Sequence, residues 1–165
     1  MSLKGTACIA GIFEHPTRKA PDKSVAQLHA ECAAGALKDA GLSKGDIDGY
    51  FCAADGPGMG PLAMAEYMGL KPRHLDSTEL GGSSYIAHDG HAAAAIAAGR
   101  CNVALITLAG RPRSAGHSGA AARPVIADAP DSPWEAPFGI VTINAYALCA
   151  CLLYTSPSPR DTPCY

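Results

Sequence analysis

The residues best placed to do chemistry lie between Asp76 and Gly99, in the run DSTELGGSSYIAHDGHAAAAIAAG. Its pattern predicts a short strand, a two-glycine elbow at Gly81 and Gly82, and a helix opening at Ser83 or Ser84. Glycines permit a tight turn and close backbone approach. A helix start adds N–H groups without intrahelical partners and a positive dipole end, which together favour an anion or an oxyanion. Ser83 or Ser84 would attack a substrate only with an adjacent base, and the sequence assigns none, so the two serines are read as helix-capping and hydrogen-bonding groups. Two histidines follow, His88 and His91, three apart and therefore able to share one helix face. A metal site needs three or four convergent ligands, and with only Asp89 between them the pair is read as polar packing, with no metal expected. His15, His29, His74 and His117 stand singly and form no constellation.

These residues need a frame to hold them. Behind the elbow, Ala87, Ala92 to Ala95, Ala97 and Ala98 leave almost no bulk, which predicts a central helix gripped by other backbone on all sides. Thr6 to Phe13 (TACIAGIF) is a short apolar run of the kind found in strands buried on both faces. Ser24 with Gln27 three residues on is a capping box, and Val25, Leu28, Cys32, Ala36 and Leu37 recur at helical spacing up to Gly41. Ile47 to Ala53 predicts the next strand, so that strand, helix and strand make a βαβ unit with parallel pairing. The loop Asp55 to Pro61 (DGPGMGP) then sits at a strand's C-terminal end, where open α/β sheets place ligand crevices. It has neither the Lys-Ser/Thr of a P-loop nor the spacing of a dinucleotide fingerprint, and is read as a lid or interface loop. Leu62 to Leu70 predicts a short helix closed by Gly69, with Met64, Tyr67 and Met68 packing beneath it. Cys101 to Ala109 (CNVALITLA) is the clearest buried strand. Gly110 to Asp131 lacks periodicity and is longer than ordinary connections, which marks it as functional, dimer-forming or incompletely covered by the rest of the protein. After Trp134, Glu135, Pro137 and Phe138, Thr142 to Ala150 begins a helix.

Composition removes several function classes. With 48% hydrophobic and 17% charged residues the 165-residue chain can bury a core, while 6% aromatic content demands fine-grained packing. A net charge of -2 without a basic run gives no footprint for nucleic acid or an anionic membrane. No apolar run reaches the ~18 residues of a membrane span, and the N-terminus lacks a secretory layout, so a cytoplasmic location is expected. The seven cysteines are odd in number, unevenly spaced and without a C-x-x-C pair, and are read as reduced, buried thiols.

Cys151 to Asp161 (CLLYTSPSPRD) resembles, residue for residue, one reading-frame translation of a transposon adaptor used in preparing sequencing libraries. Residues 151–165 are therefore expected to be a read-through tail, and residues 1–150 the N-terminal part of a longer protein.

The run STELGGSSYIAHDGHAAAAIAAGRCNVALITLAG, with GMGPLAMAEYMGLKPRHLDS before it and WEAPFGIVTINAYALCA after it, resembles the first half of the thiolase family, closest to the branch of sterol-carrier-type thiolases and lipid-transfer-like aldolases. The resemblance implies the first half of an αβαβα fold, with a mostly parallel sheet and a buried small-residue helix that faces its counterpart in the second half, usually in a homodimer. It also exposes a departure. Thiolases carry a nucleophilic cysteine at the elbow in a Cys-x-Ser-Gly pattern, and in this chain that position falls on Gly82, within Gly81, Gly82, Ser83 and Ser84. The family's histidine and second cysteine belong to the second half.

The resemblance implies an enzyme acting on carbon–carbon bonds of acyl-CoA substrates, with coenzyme A entering as part of the substrate and no separate cofactor. Arg111 and Arg113, with Arg123, are candidates to meet its phosphates, with a solvated or dimer-facing role as the alternative. Without the cysteine, thiolysis through an acyl-enzyme is disfavoured. Retro-aldol cleavage of a 3-hydroxyacyl-CoA, as aldolases of this branch perform on steroid side chains, is preferred because it needs only a base and a stabilised enolate. A thiolase-type acyltransferase and a non-catalytic subunit binding acyl-CoA or a partner, such as a small OB-fold acyl-CoA-binding protein, are the alternatives. The chain by itself is expected to be inactive and poorly soluble.

Overall fold

Helix α1, Val25–Ala40, starts where local chemistry dictates. Ser24 accepts the Gln27 N–H and the Gln27 side chain returns to the Ser24 N–H, satisfying two helix-start donors reciprocally, and the helix closes at Gly41. The predicted apolar stripe is rotated by about one residue: Leu28, His29, Ala33 and Leu37 are the buried positions. In the computed structural model the residues described are 3–53, 56–114, 130, 132–135, 137 and 142–155. They form two units, residues 1–111 and 112–165.

The first unit is built on a three-stranded parallel sheet in the order β2-β1-β3, with β1 at Gly49–Phe51, β2 at His74–Asp76 and β3 at Ala104–Ile106. Tyr50 lies opposite Leu75 on one side and Leu105 on the other. Successive strand residues face opposite ways, and each face meets helices. Tyr50 and Leu105 join Ala33 and Leu37 of α1 and Met64, Ala65 and Met68 of α2, Pro61–Met68. Phe51, Ala104 and Ile106 pack on Ala92 and Ala95 of α3, Ser84–Ala97. The result is an α/β arrangement with α1 and α2 on one face and α3 on the other.

Four sequence expectations change. Thr6 to Phe13 is not a strand. It runs extended along the outside of α1, where Gly11 lies so close to Ala36 and Ala40 that a Cβ would stand 2.6 Å from the Ala36 carbonyl oxygen, and where the Ile12 N–H donates to Asp39. An apolar run is compatible with either state, and Ile9 and Ile12 are exposed. The parallel βαβ units are therefore β1-α2-β2 and β2-α3-β3. Tyr67 is exposed rather than packed with Met64 and Met68, because the buried stripe of so short a helix is narrow. Helix α3 carries the predicted small residues but buries one face only, through Ser84, His88, Ala92 and Ala95, while Ile86, Gly90, Ala94 and Ala97 are exposed. Of the cysteines, Cys52 and Cys101 are buried, Cys32 is half-buried, and Cys8, Cys149 and Cys151 are exposed free thiols.

The second unit holds α4, Ser132–Glu135, and α5, Thr142–Thr155. The predicted helix from Thr142 continues past Ala150 through Cys151–Thr155, with Thr155 Oγ1 donating to the Cys151 carbonyl at 2.7 Å. Asp55, His117, Phe138, most of the loop 110–131 and residues 156–165 lie outside the described residues. Among the described residues, no helix is long and apolar enough to cross a membrane.

Candidate active site

The parallel sheet delivers three chain segments to one edge, the C-terminal ends of its strands. Beyond β1 come the buried Cys52 and Ala53 and the turn at residues 56–60; beyond β2 comes the elbow; beyond β3 comes Thr107, whose N–H donates to the Phe51 carbonyl at 3.2 Å. Helix α3 starts at this edge, so its N-terminal dipole points where parallel α/β sheets hold ligands.

Gly81 has φ of +64°, the left-handed conformation in which only glycine is unstrained, and this reverses the chain from the β2 extension into α3. Gly82 and Ser83 are exposed and Ser83 makes no side-chain cap bond, while the Ser84 N–H is turned onto the Gly81 carbonyl at 3.1 Å. Ser84 behaves differently from its neighbour. It is fully buried, its Oγ donates to the Gly81 carbonyl at 2.7 Å, and the same oxygen accepts the Leu80 N–H at 2.8 Å. Its hydroxyl proton is committed to fixing the turn. Glu79 accepts the Gly81 N–H at 2.9 Å, so the Gly81 and Ser84 N–H groups are both engaged within the turn, and what α3 turns towards the elbow is its N-terminal dipole.

Around residue 82 there is room. A Cβ built there meets no atom within 4 Å, so the glycine at this position is not imposed by crowding. The buried thiols lie elsewhere: Cys101 packs against Gly49 at the opposite edge of the sheet, and Cys52 against Gly56. Burial pushes the Cys101 thiol up, with the nearby Asp48 carboxylate adding to it.

Both histidines of α3 pack against the segment that leads into the elbow. His88, fully buried, accepts the Thr78 N–H on Nε2 at 3.1 Å, and His91 Nδ1 stands 2.8 Å from Asp76 Oδ2. Among the described residues no group of three or more His, Cys, Asp or Glu side chains is arranged to hold a metal ion. Arg111 donates to the Lys23 carbonyl at 3.0 Å and so ties down the loop before α1. Lys23 in turn holds Glu31, which also bonds His15, and these two partners keep the Glu31 carboxyl below its ordinary range. Arg113 is exposed in a turn of the second unit, and Arg123 lies outside the described residues.

Two groupings escaped the sequence. Thr107 Oγ1 lies 2.8 Å from both His29 Nδ1 and Tyr50 Oη, which joins α1, β1 and the end of β3 through a buried polar network. Its only signal was that Thr107 is the one polar residue within Val103 to Ala109. At the other edge Asp48 accepts the Asn102 and Val103 N–H groups, the Asn102 side-chain amide and Arg73. Partial burial pushes this carboxyl up, but the four donors outweigh burial and hold it down at about 2.

No family model and no curated protein matches the chain. Among solved structures it is similar to a chain described as an Ltp2-ChsH2(DUF35) aldolase, with a TM-score of 0.65 and 26% identity over 84% of this chain and 35% of that one. A monomeric SCP2-thiolase-like protein type 1 from Mycobacterium smegmatis matches at 27% identity over 58% of this chain and 20% of that chain, with a TM-score of 0.45. The α/β fold predicted from the sequence is shared with the aldolase over most of the chain, which spans 35% of that chain's length.

Proposed function

We propose that this chain belongs to a thiolase-like enzyme acting on carbon–carbon bonds of acyl-CoA substrates, and that its reaction is retro-aldol cleavage of a 3-hydroxyacyl-CoA. The observation that carries this reading is the elbow itself: Gly82, which the resemblance to thiolases aligns with their thiol, offers no side chain, and the Ser84 hydroxyl is committed to the Gly81 carbonyl. Such a site offers a helix dipole and no thiol to carry an acyl group. It suits a reaction in which charge develops on a thioester oxygen and no acyl group is passed to the protein.

In that reaction a base removes the proton of the substrate's C3 hydroxyl. The C2–C3 bond breaks, C3 becomes a carbonyl, and the bonding pair moves to C2 and the thioester oxygen as an enolate. The N-terminal dipole of α3 would stabilise this oxyanion, and reprotonation at C2 gives the shortened acyl-CoA. The likeness to an aldolase over 84% of the chain supports the reading. Coenzyme A would enter with the substrate.

The deciding experiment recovers the reading frame beyond Ala150 from genomic DNA and assays the encoded protein with a 3-hydroxyacyl-CoA. Release of a carbonyl compound and a shortened acyl-CoA without added free CoA is expected. Turnover of a 3-ketoacyl-CoA only when free CoA is supplied would overturn the retro-aldol reading in favour of acyl transfer. Binding of acyl-CoA with neither turnover would make the protein a non-catalytic subunit.

A further inference from the structure

Ser84, His88 and His91 stand four and three residues apart on α3 and so share one face. Each meets a residue of the segment leading into the elbow, in reverse order: Ser84 with Leu80 at 2.8 Å, His88 with Thr78 at 3.1 Å, His91 with Asp76 at 2.8 Å. The segment therefore runs antiparallel to the helix, laced to it by three side chains. Residues 77–79 belong to no strand, so these rungs replace the ladder bonds that a strand would supply.

The middle rung differs chemically from the other two. A serine oxygen and a carboxylate accept hydrogen bonds throughout the neutral and mildly acidic range. A ring nitrogen accepts only while the imidazole is neutral, and His88 Nε2 is the acceptor for Thr78 N–H. We propose that His88 is the positioning residue of the elbow: its neutral ring holds the elbow segment on α3, and its protonation releases that segment.

The surroundings of the ring are consistent with this role. From its own helix, Tyr85 meets it edge-on at 5.8 Å between ring centroids and His91 lies at 6.3 Å. From β1, Phe51 packs on it at 6.0 Å. From β2, His74 packs on the same Phe51 ring, and Asp76 holds His91. From β3, Ala104 and Ile106 contribute apolar side chains to the cluster on this face. The elbow segment contributes the Thr78 N–H and, at its far end, Glu79, whose carboxylate is turned to the Gly81 N–H. Asp76 thus faces His91, while rings pack on His88 and a backbone N–H reaches its Nε2.

The inference rests on the elbow being the reacting site, but it is tested without turnover. On the full 165-residue chain carrying Ile9→Lys, Ile12→Lys, Leu152→Glu and Leu153→Glu, exposed positions changed to keep it dispersed, NMR follows the His88 ring, the Thr78, Gly81, Gly82 and Tyr85 amides, and exchange of the Thr78 amide as pH is lowered. Protection of Thr78, corrected for intrinsic exchange, is expected to fall by about tenfold with the same midpoint as the His88 ring. In His88→Gln, whose amide oxygen keeps an acceptor and does not titrate, protection is expected to stay flat through that range. In His88→Leu it is expected to be low at every pH. Protection that ignores the ring titration, that falls equally in His88→Gln, or a ring that stays neutral until the protein unfolds would each overturn the proposal. If neither variant folds, the shared midpoint in the unaltered chain decides. Adding a 3-hydroxyacyl-CoA at neutral pH separates the two ideas: unmoved Gly82 and Tyr85 amides would count against the site and leave the His88 contact standing.

Discussion

Gly82 is the residue at which the chemistry of the elbow can be altered with least disturbance, because a side chain there meets nothing within 4 Å. Gly82→Cys is expected to fold like the parent and to place a thiol beside the first turn of α3, where the helix dipole and N–H groups stabilise a thiolate. Iodoacetamide at pH 7 should alkylate it several-fold faster than the exposed Cys8, and unaltered folding with no such reactivity would show that the helix start does not act on residue 82. At the opposite edge, Asp48 supplies a pH-dependent term. Its carboxyl is held at about 2 against an ordinary 3.8, so its stabilisation is complete above pH 4 and is lost as pH falls towards 2. Allowing for solvent screening, Asp48→Ala is expected to cost about 1–2 kcal/mol at pH 7 and almost nothing near pH 2. Urea midpoints at the two pH values measure the difference, and a cost unchanged with pH would refute it. In the buried network, Thr107→Val keeps the volume but removes the oxygen shared by His29 and Tyr50. A loss of about 1–3 kcal/mol is expected, read as a fall in Tm.

At the scale of elements, features set by neighbouring residues were legible and those set by distant ones were not. The capping box at Ser24 and Gln27, the close at Gly41, the glycine elbow and the small residues of α3 are local, and all appear in the sequence as a pattern of four to fourteen residues. Strand status is different. The run TACIAGIF satisfies the pattern of a buried strand as well as CNVALITLA does, yet only the second finds a pairing partner, and the first lies along α1. The rungs between α3 and residues 76–80 depend on a reversal at Gly81 that brings groups 4, 10 and 15 residues apart into register, and His29 meets Thr107 across 78 positions. No periodicity encodes such pairs. The seat of the N-terminal segment is testable. Gly11→Val would press side-chain atoms against the Ala36 carbonyl and Ala40, so the segment must lift from α1. Trypsin should then cut after Arg18 or Lys19 more than tenfold faster than in the parent while the core helices persist by circular dichroism; equal cleavage rates would show that the segment is not anchored there.

For the whole molecule, the decisive quantity is the apolar surface each unit leaves in water. In the first unit Ile9, Ile12, Ile86 and Leu108 are all exposed, at 78%, 73%, 75% and 58% of their full accessible area. In the second, α5 exposes Tyr146, Leu148, Leu152, Leu153 and Tyr154 along a helix without a charged residue. Burying one such side chain is worth about 1.5–3 kcal/mol, so a surface carrying many of them favours association over solvation. A net charge of -2 opposes that association only weakly. The chain is therefore expected to self-associate at micromolar concentration and to bind the dye ANS before any denaturant is added. Light scattering coupled to size exclusion measures the first and fluorescence the second. Replacing Ile9 and Ile12 by Lys, and Leu152 and Leu153 by Glu, should lower both signals without changing helix content, because none of the four is part of the buried core. A monodisperse monomer that ignores ANS would mean that these side chains are covered in solution, and would count against the exposed faces of α5 and the N-terminal segment as surfaces that drive assembly.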